Sequence, residues 1–115
     1  ALRDAGIGHG DVDAVVGMGA GEPEADAHEW GALLACLRDR AEGVPVVALT
    51  PSIGNCVAGH GALLVGVAAM MVREGSAPAG AVVRGPREAG GPIRTVLVCA
   101  GSMGGQAAAM VVRAV

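Results

Sequence analysis

Phenylalanine, tyrosine and lysine are absent from this 115-residue chain, and Trp30 is its single aromatic side chain. An aromatic ring buries about 150–250 Å² and ordinarily anchors a small core. A core without such rings has to be built from Ala, Val, Leu, Met and Gly with backbones in close approach, which suits a layered fold, or part of one that completes its core against another chain. All eight basic residues are Arg, and they are scattered singly. With neither a basic stripe nor aromatic stacking residues, the sequence offers no route to nucleic acid. Long hydrophobic runs are missing too. The longest, around Val57 to Val72, is broken by Gly59, His60, Gly61 and Gly66 and falls short of the ~20 apolar residues of a membrane span, so no membrane association is expected. The opening Ala1-Leu2-Arg3-Asp4 does not resemble a basic-then-apolar leader. Three cysteines, Cys36, Cys56 and Cys99, make an odd count without C-x-x-C spacing, which predicts reduced thiols, neither a disulfide framework nor a metal site, and a cytoplasmic location.

What is present is apolar and small: 52% hydrophobic residues, 17% charged, twenty glycines and a formal charge of −3. That apolar fraction excludes a disordered segment, and the glycines follow no three-residue period. Ala1 to Gly6 reads as the last turns of a helix. Ala14-Val15-Val16, between glycines, predicts a buried strand. Trp30, Leu33, Leu34 and Leu37 fall at i, i+3, i+4 and i+7, one helical face, preceded by acidic residues from Glu22 to Glu29 that suit a helix N-terminus, with Arg38 and Arg40 expected in the last turn and Gly43 beyond. Val44 to Leu49 predicts a second strand stopped by Thr50-Pro51. His60 to Glu74, apolar on nearly every side, predicts a helix buried between layers. Gly75 to Gly91 reads as a loop, and Thr95 to Ala100 with Ala108 to Val112 as an antiparallel pair around Gly101-Ser102-Met103-Gly104-Gly105. The order helix, β, α, β, α, β, β predicts an α/β fold with a mainly parallel sheet between helices.

Three local motifs invite chemistry. Gly17-x-Gly19-x-Gly21 after a strand has the look of a phosphate-binding loop, but Glu22, Glu24 and Asp26 follow it and would repel phosphate. Glu22, Glu24, Asp26, His28 and Glu29 are hard-metal ligand types, yet they point in different directions on one helical turn, and a solvated acidic N-terminus accounts for them. Cys56 and His60, four apart, have the composition of a thiolate–imidazole pair. The spacing supplies no third orienting group, and a buried Cys beside a helix start is the plainer expectation. Cys36 and Cys99 read as small packing residues.

The order of these loops carries more than any one of them. Ala1-Leu2-x-Asp4-Ala5-Gly6-Ile7 with Asp11-Val12-Asp13 is followed by Gly19-x-Gly21-x-Pro23-x-x-Asp26-x-x-Glu29, then by Thr50-Pro-Ser-Ile-Gly-Asn-Cys-Val-Ala-Gly-His-Gly61, and finally by Gly101 to Gly105. From 1 to 115 this resembles the C-terminal half of a β-ketoacyl synthase of the thiolase superfamily, whose corresponding patterns are H-G-T-G-T-P-x-x-D-x-x-E, K-S-x-x-G-H-x-x-G-A-A-G and a Gly-rich turn. The resemblance implies a thiolase-like three-layer α/β/α arrangement with a mixed sheet ending in an antiparallel hairpin, no cofactor, and a missing N-terminal half that carries the family's nucleophilic Cys.

The departures from the family pattern bear on function. Active members use two His to hold the malonyl thioester carbonyl and stabilise the enolate left by decarboxylation, and a Lys to organise the site. Met18, Asn55 and Thr50 stand at those positions. A thioether donates no hydrogen bond, and an amide does not perform imidazole acid–base chemistry. Each lost oxyanion donor costs about 3–4 kcal/mol. The resemblance therefore implies the subset that keeps the fold without the catalytic residues: the chain length factor, or ketosynthase-β, of type II polyketide synthases. That subunit pairs with an active ketosynthase as a heterodimer and serves chains carried on acyl carrier protein. The tail Val98 to Ala108 resembles the chain-length-factor ending more than the G-F-G-G-T-N of the active enzyme. On this reading Cys56, His60 and Met103 line an acyl tunnel or local site. The subunit so implied supports polyketide or fatty-acyl chain elongation. An alternative is a diverged β-ketoacyl synthase or acyltransferase that retains thioester chemistry through Asn55, because Gly54-Asn55 also resembles the Gly-Asn of type III ketoacyl synthases, with Cys56 or His60 recruited locally. A further option is a structural half-domain that completes a split thiolase fold.

Overall fold

The computed structural model describes residues 1–102 and 104–115. Five strands form one sheet in the order β3-β2-β1-β4-β5: β1 (Ala14–Gly17), β2 (Val46–Ala48), β3 (Val82–Arg84), β4 (Thr95–Gly101) and β5 (Ala107–Arg113). β1 runs parallel to β2 and β4, while the edge strands β3 and β5 are antiparallel to their neighbours. The mixed sheet ending in a hairpin is therefore as the resemblance implied, and Met103 in its turn lies outside the described residues.

Alternation along the strands divides the core in two. Val15 and Leu97 face α1 (Pro23–Leu37) and join Leu33 and Leu37 in one cluster, whereas Ala14, Val16, Val96 and Val98 face α3 (His60–Glu74) and join Leu64, Ala68 and Met71 in another. Helices thus cover both faces, as the βαβ order requires. Side chains of this size leave a thin sandwich in which glycine contacts are tight. At Gly19 (φ +50°) an added Cβ would collide with the Ala48 side chain, and at Gly85 (φ +79°) one would strike the Val44 carbonyl.

Several expectations change. Residues 1–6 form hydrogen-bonded turns, including Ala5 N–H to the Ala1 carbonyl at 2.8 Å, without continuing as a helix. α1 ends at Leu37, and Arg38 takes φ +55° before a 3-10 turn over Arg38–Glu42, so the two arginines lie beyond the helix. Arg40 is put to structural use there, donating from Nη2 to the Val12 carbonyl at 2.9 Å. The expected loop from Gly75 to Gly91 contains β3, three residues that extend the sheet beside β2. Thr50–Ile53, expected only as a strand stop, winds a single helical turn, α2.

The largest change concerns α3. Only His60, Leu64, Ala68 and Met71, at spacings of four, four and three, are buried against the sheet. The opposite side carries Leu63 at 41% exposure and Met70 at 56%. The helix is covered on one face in this chain, not sandwiched between layers. Val57–Glu74 is long and apolar enough to meet a length-and-composition test for crossing a membrane, a test that core helices also meet, and the sheet contact accounts for its buried stripe.

Candidate functional site

The loop after β1, the turn α2 and the start of α3 converge at one end of the sheet, at the C-terminal ends of the parallel strands β1 and β2. Ligands of open α/β sheets characteristically bind at this end of parallel strands. Met18 leaves β1 with both backbone groups engaged. Its N–H donates to Glu29 Oε1 at 2.7 Å and its carbonyl accepts the Thr50 hydroxyl at 2.6 Å. Gly19 N–H donates to the other Glu29 oxygen at 3.1 Å, and Gly21 N–H to Asp26 Oδ2 at 3.1 Å.

These bonds settle what the glycine loop does. The amides that would cradle a phosphate are taken by carboxylates of α1, one helical turn apart, so the loop is held by anions of the protein itself. The same bonds account for both Glu29 oxygens and for Asp26 Oδ2 as ligands of the loop backbone. Glu29 and Asp26 are thus the residues whose role the sequence did not disclose. Their signal lay in the D-x-x-E spacing, which puts both carboxylates on one helix face aimed at the N-terminus.

Thr50, on the second loop, reaches His60. Thr50 Oγ1 lies 3.3 Å from His60 Nε2, and the Cys56 N–H donates to His60 Nδ1 at 3.3 Å. Met18, Thr50 and His60 are therefore joined into one hydrogen-bonded chain. Cys56 belongs to it through its backbone, since the imidazole meets the amide rather than the thiol. The expected buried Cys56 is instead exposed, because residues 51–59 run over the surface, and Cys36, on α1, is exposed as well. Asn55 is exposed as well, and its Oδ1 accepts the Val57 N–H at 2.8 Å. Cys99, on β4, is half-buried. Burial pushes its thiol from 9.0 up to about 11, assisted by the nearby Glu29 carboxylate and Cys36, which leaves it unreactive at neutral pH.

The surface carries two shallow clefts, one beside the Gly19–Gly21 loop and one past the far end of α3. One, of about 210 Å³, lies between Glu29, Pro51 and the Arg84 guanidinium, which stacks 4.2 Å from the centre of the Trp30 ring. The other, of about 320 Å³, runs along the Gly75–Gly91 segment beside Arg87 and Glu88. Neither contains a residue matched to the family's catalytic positions.

A mixed sheet covered by helices on both faces, with a polar loop cluster at the C-terminal ends of its parallel strands, is the arrangement expected of a ketosynthase-type α/β domain, and comparison with known proteins agrees. Residues 1–83 match the family model for the beta-ketoacyl synthase C-terminal domain, and the chain belongs to that family. It is 45% identical over 91 residues to a Streptomyces coelicolor protein named "Actinorhodin polyketide putative beta-ketoacyl synthase 2", an alignment covering 78% of this chain and 22% of that relative. The chain therefore spans only a minor part of the relative's length.

Proposed function

We propose that this chain is the C-terminal part of a non-catalytic ketosynthase-like subunit of the chain-length-factor type, acting in polyketide assembly as a heterodimer with an active ketosynthase. The observation that carries the reading is the hydrogen bonding at the three family positions. Met18 offers a thioether, Thr50 donates its hydroxyl hydrogen bond to the Met18 carbonyl, and Asn55, whose Oδ1 accepts from the Val57 N–H, offers a neutral amide in place of an imidazole. A condensing site needs preorganised donors and an imidazole able to meet a developing oxyanion, and here the thioether has no donor and the Thr50 hydroxyl is turned to the backbone.

The subunit's contribution would then be shape. The α2–α3 segment, including Cys56 and His60, would back the space in which the chain grows on acyl carrier protein. Exposed Leu63 and Met70 on α3, with Met110 at 51% exposure on β5, give the N-terminal half of the fold an apolar surface to cover. The name of the Streptomyces relative, a second β-ketoacyl synthase of a polyketide system, supports the polyketide over the fatty-acyl setting. A cytoplasmic location accords with the three free thiols. Reconstitution tests the pairing: the intact protein, an active ketosynthase and acyl carrier protein should yield elongated chains only when both ketosynthase-like subunits are present. Elongation at the same rate and length without this protein would refute it.

The enzymatic alternative retains one supporting feature, an accessible Cys56 next to Asn55. It requires a base at the sulfur, and His60 faces the Cys56 amide instead. Incubation with an acyl thioester followed by peptide mass analysis separates the two, because the non-catalytic reading predicts an unacylated Cys56 under conditions that load the partner.

A further inference from the structure

Among the described residues His60 is the one polar side chain in the buried set, at 1% exposure, and the non-catalytic reading gives it no chemical task. It does not coincide with any of the three positions, Met18, Thr50 and Asn55, that match the family's active-site residues. Both of its ring nitrogens are nevertheless engaged, by Thr50 and Cys56 at two points of the segment that joins β2 to α3.

We infer that His60 is a positioning residue, which clamps the Asn55–Cys56 loop to Thr50 and, through Thr50, to the backbone of Met18. The geometry fixes the tautomer. The Cys56 amide, 3.3 Å from Nδ1, can only donate, so Nδ1 is bare and accepts. The ring proton then sits on Nε2, which donates to Thr50 Oγ1 at 3.3 Å, and the Thr50 hydroxyl in turn donates its hydrogen bond to the Met18 carbonyl at 2.6 Å. Donor and acceptor alternate along the whole path, so each group is satisfied without a competitor. The segment needs such a clamp. Residues 51–59 are all exposed, Gly54 takes φ +76°, and Val57 sits at φ +49°, a left-handed conformation costly for a β-branched residue. Apolar packing does little to hold a segment so exposed, and the side chain of the first α3 residue, directed back toward the helix N-terminus, supplies a fixed point. The three positions where the family keeps its polar machinery are thereby locked in one arrangement by a residue outside that set. The inference deepens the proposed function, and it stands or falls on the geometry alone.

Nitrogen-15 spectroscopy of the histidine rings and amide hydrogen exchange in the intact protein test it. The expected spectrum shows His60 with an unprotonated Nδ1 and a protonated Nε2. In His60→Ala the Cys56 amide should exchange about tenfold faster, the loss expected from freeing one or two net hydrogen bonds, while the Val15 amide in β1 keeps its protection. His60→Asn, whose carbonyl oxygen reaches the place of Nδ1, should restore protection at Cys56. A ring found as the Nδ1–H tautomer overturns the inference, as does unchanged Cys56 exchange in His60→Ala. Should His60→Ala fail to fold, the native tautomer and the exchange rate in His60→Asn decide the matter.

Discussion

Glu29 has a larger structural part than any residue of the matched catalytic positions. One carboxylate holds two consecutive amides, of Met18 and Gly19, and removing it strands both donors in a half-buried loop. Glu29→Ala should therefore destabilise the protein by about 2–4 kcal/mol in urea denaturation, since each unsatisfied buried donor costs about 1–3 kcal/mol. Gly19→Ala should cost on the order of 2–4 kcal/mol, from left-handed backbone strain plus overpacking against Ala48. Adding Ala48→Gly should return the packing part and leave the strain. Cys99 gives a pH prediction whose sign follows from its raised value. The unfolded thiol ionises near 9.0 and the folded one near 11, so the unfolded state releases its proton first as pH rises. Stability is fully present below pH 9 and falls between pH 9 and 11, by up to about 2–3 kcal/mol. Cys99→Ala should flatten that slope in denaturation profiles taken across the window.

Periodicity was legible at the level of elements where a segment buries one face. Trp30, Leu33 and Leu37 forecast α1, and the β-branched runs forecast β1, β2 and β4. β3 escaped because three residues, Val82-Val83-Arg84, carry no period, and their strand character comes from pairing with β2, a tertiary contact that local sequence does not encode. Residues 1–6 and the arginines after Leu37 were misjudged where a cap was inferred from composition, while the chain used turns and the positive φ of Arg38 to change direction. At the site, Met18, Thr50 and Asn55 were legible through motif order. The links between them were not, because Glu29 and His60 act on backbone groups, and backbone partners leave no trace in residue spacing. The two sides of α3 allow a direct contrast: Leu64→Ala, at a fully buried position, should cost about 2–5 kcal/mol by thermal or chemical denaturation. An exposed-side change such as Met70→Ala would cost only a few tenths if that side met water.

The whole molecule reinterprets that contrast. Leu63 and Met70 on α3 and Met110 on β5 each leave apolar side-chain surface uncovered, surface that the proposed N-terminal half would bury. In the intact protein, with the N-terminal half in place, Met70→Ala is expected to cost about 1–3 kcal/mol, the loss of a packed methionine and not of a solvated one. The absence of Phe and Tyr fits the same architecture: a thin α/β/α layer with small side chains lets backbones approach, and on the proposed reading the N-terminal half supplies further bulk. Family membership rests on residues 1–83, while the distinction between active and inactive members rests on Met18, Thr50 and Asn55. Decarboxylation of malonyl-loaded acyl carrier protein tests that distinction most directly. The intact protein alone should release no carbon dioxide above the uncatalysed rate, with release appearing only on addition of an active ketosynthase, and release by this protein by itself would contradict the account.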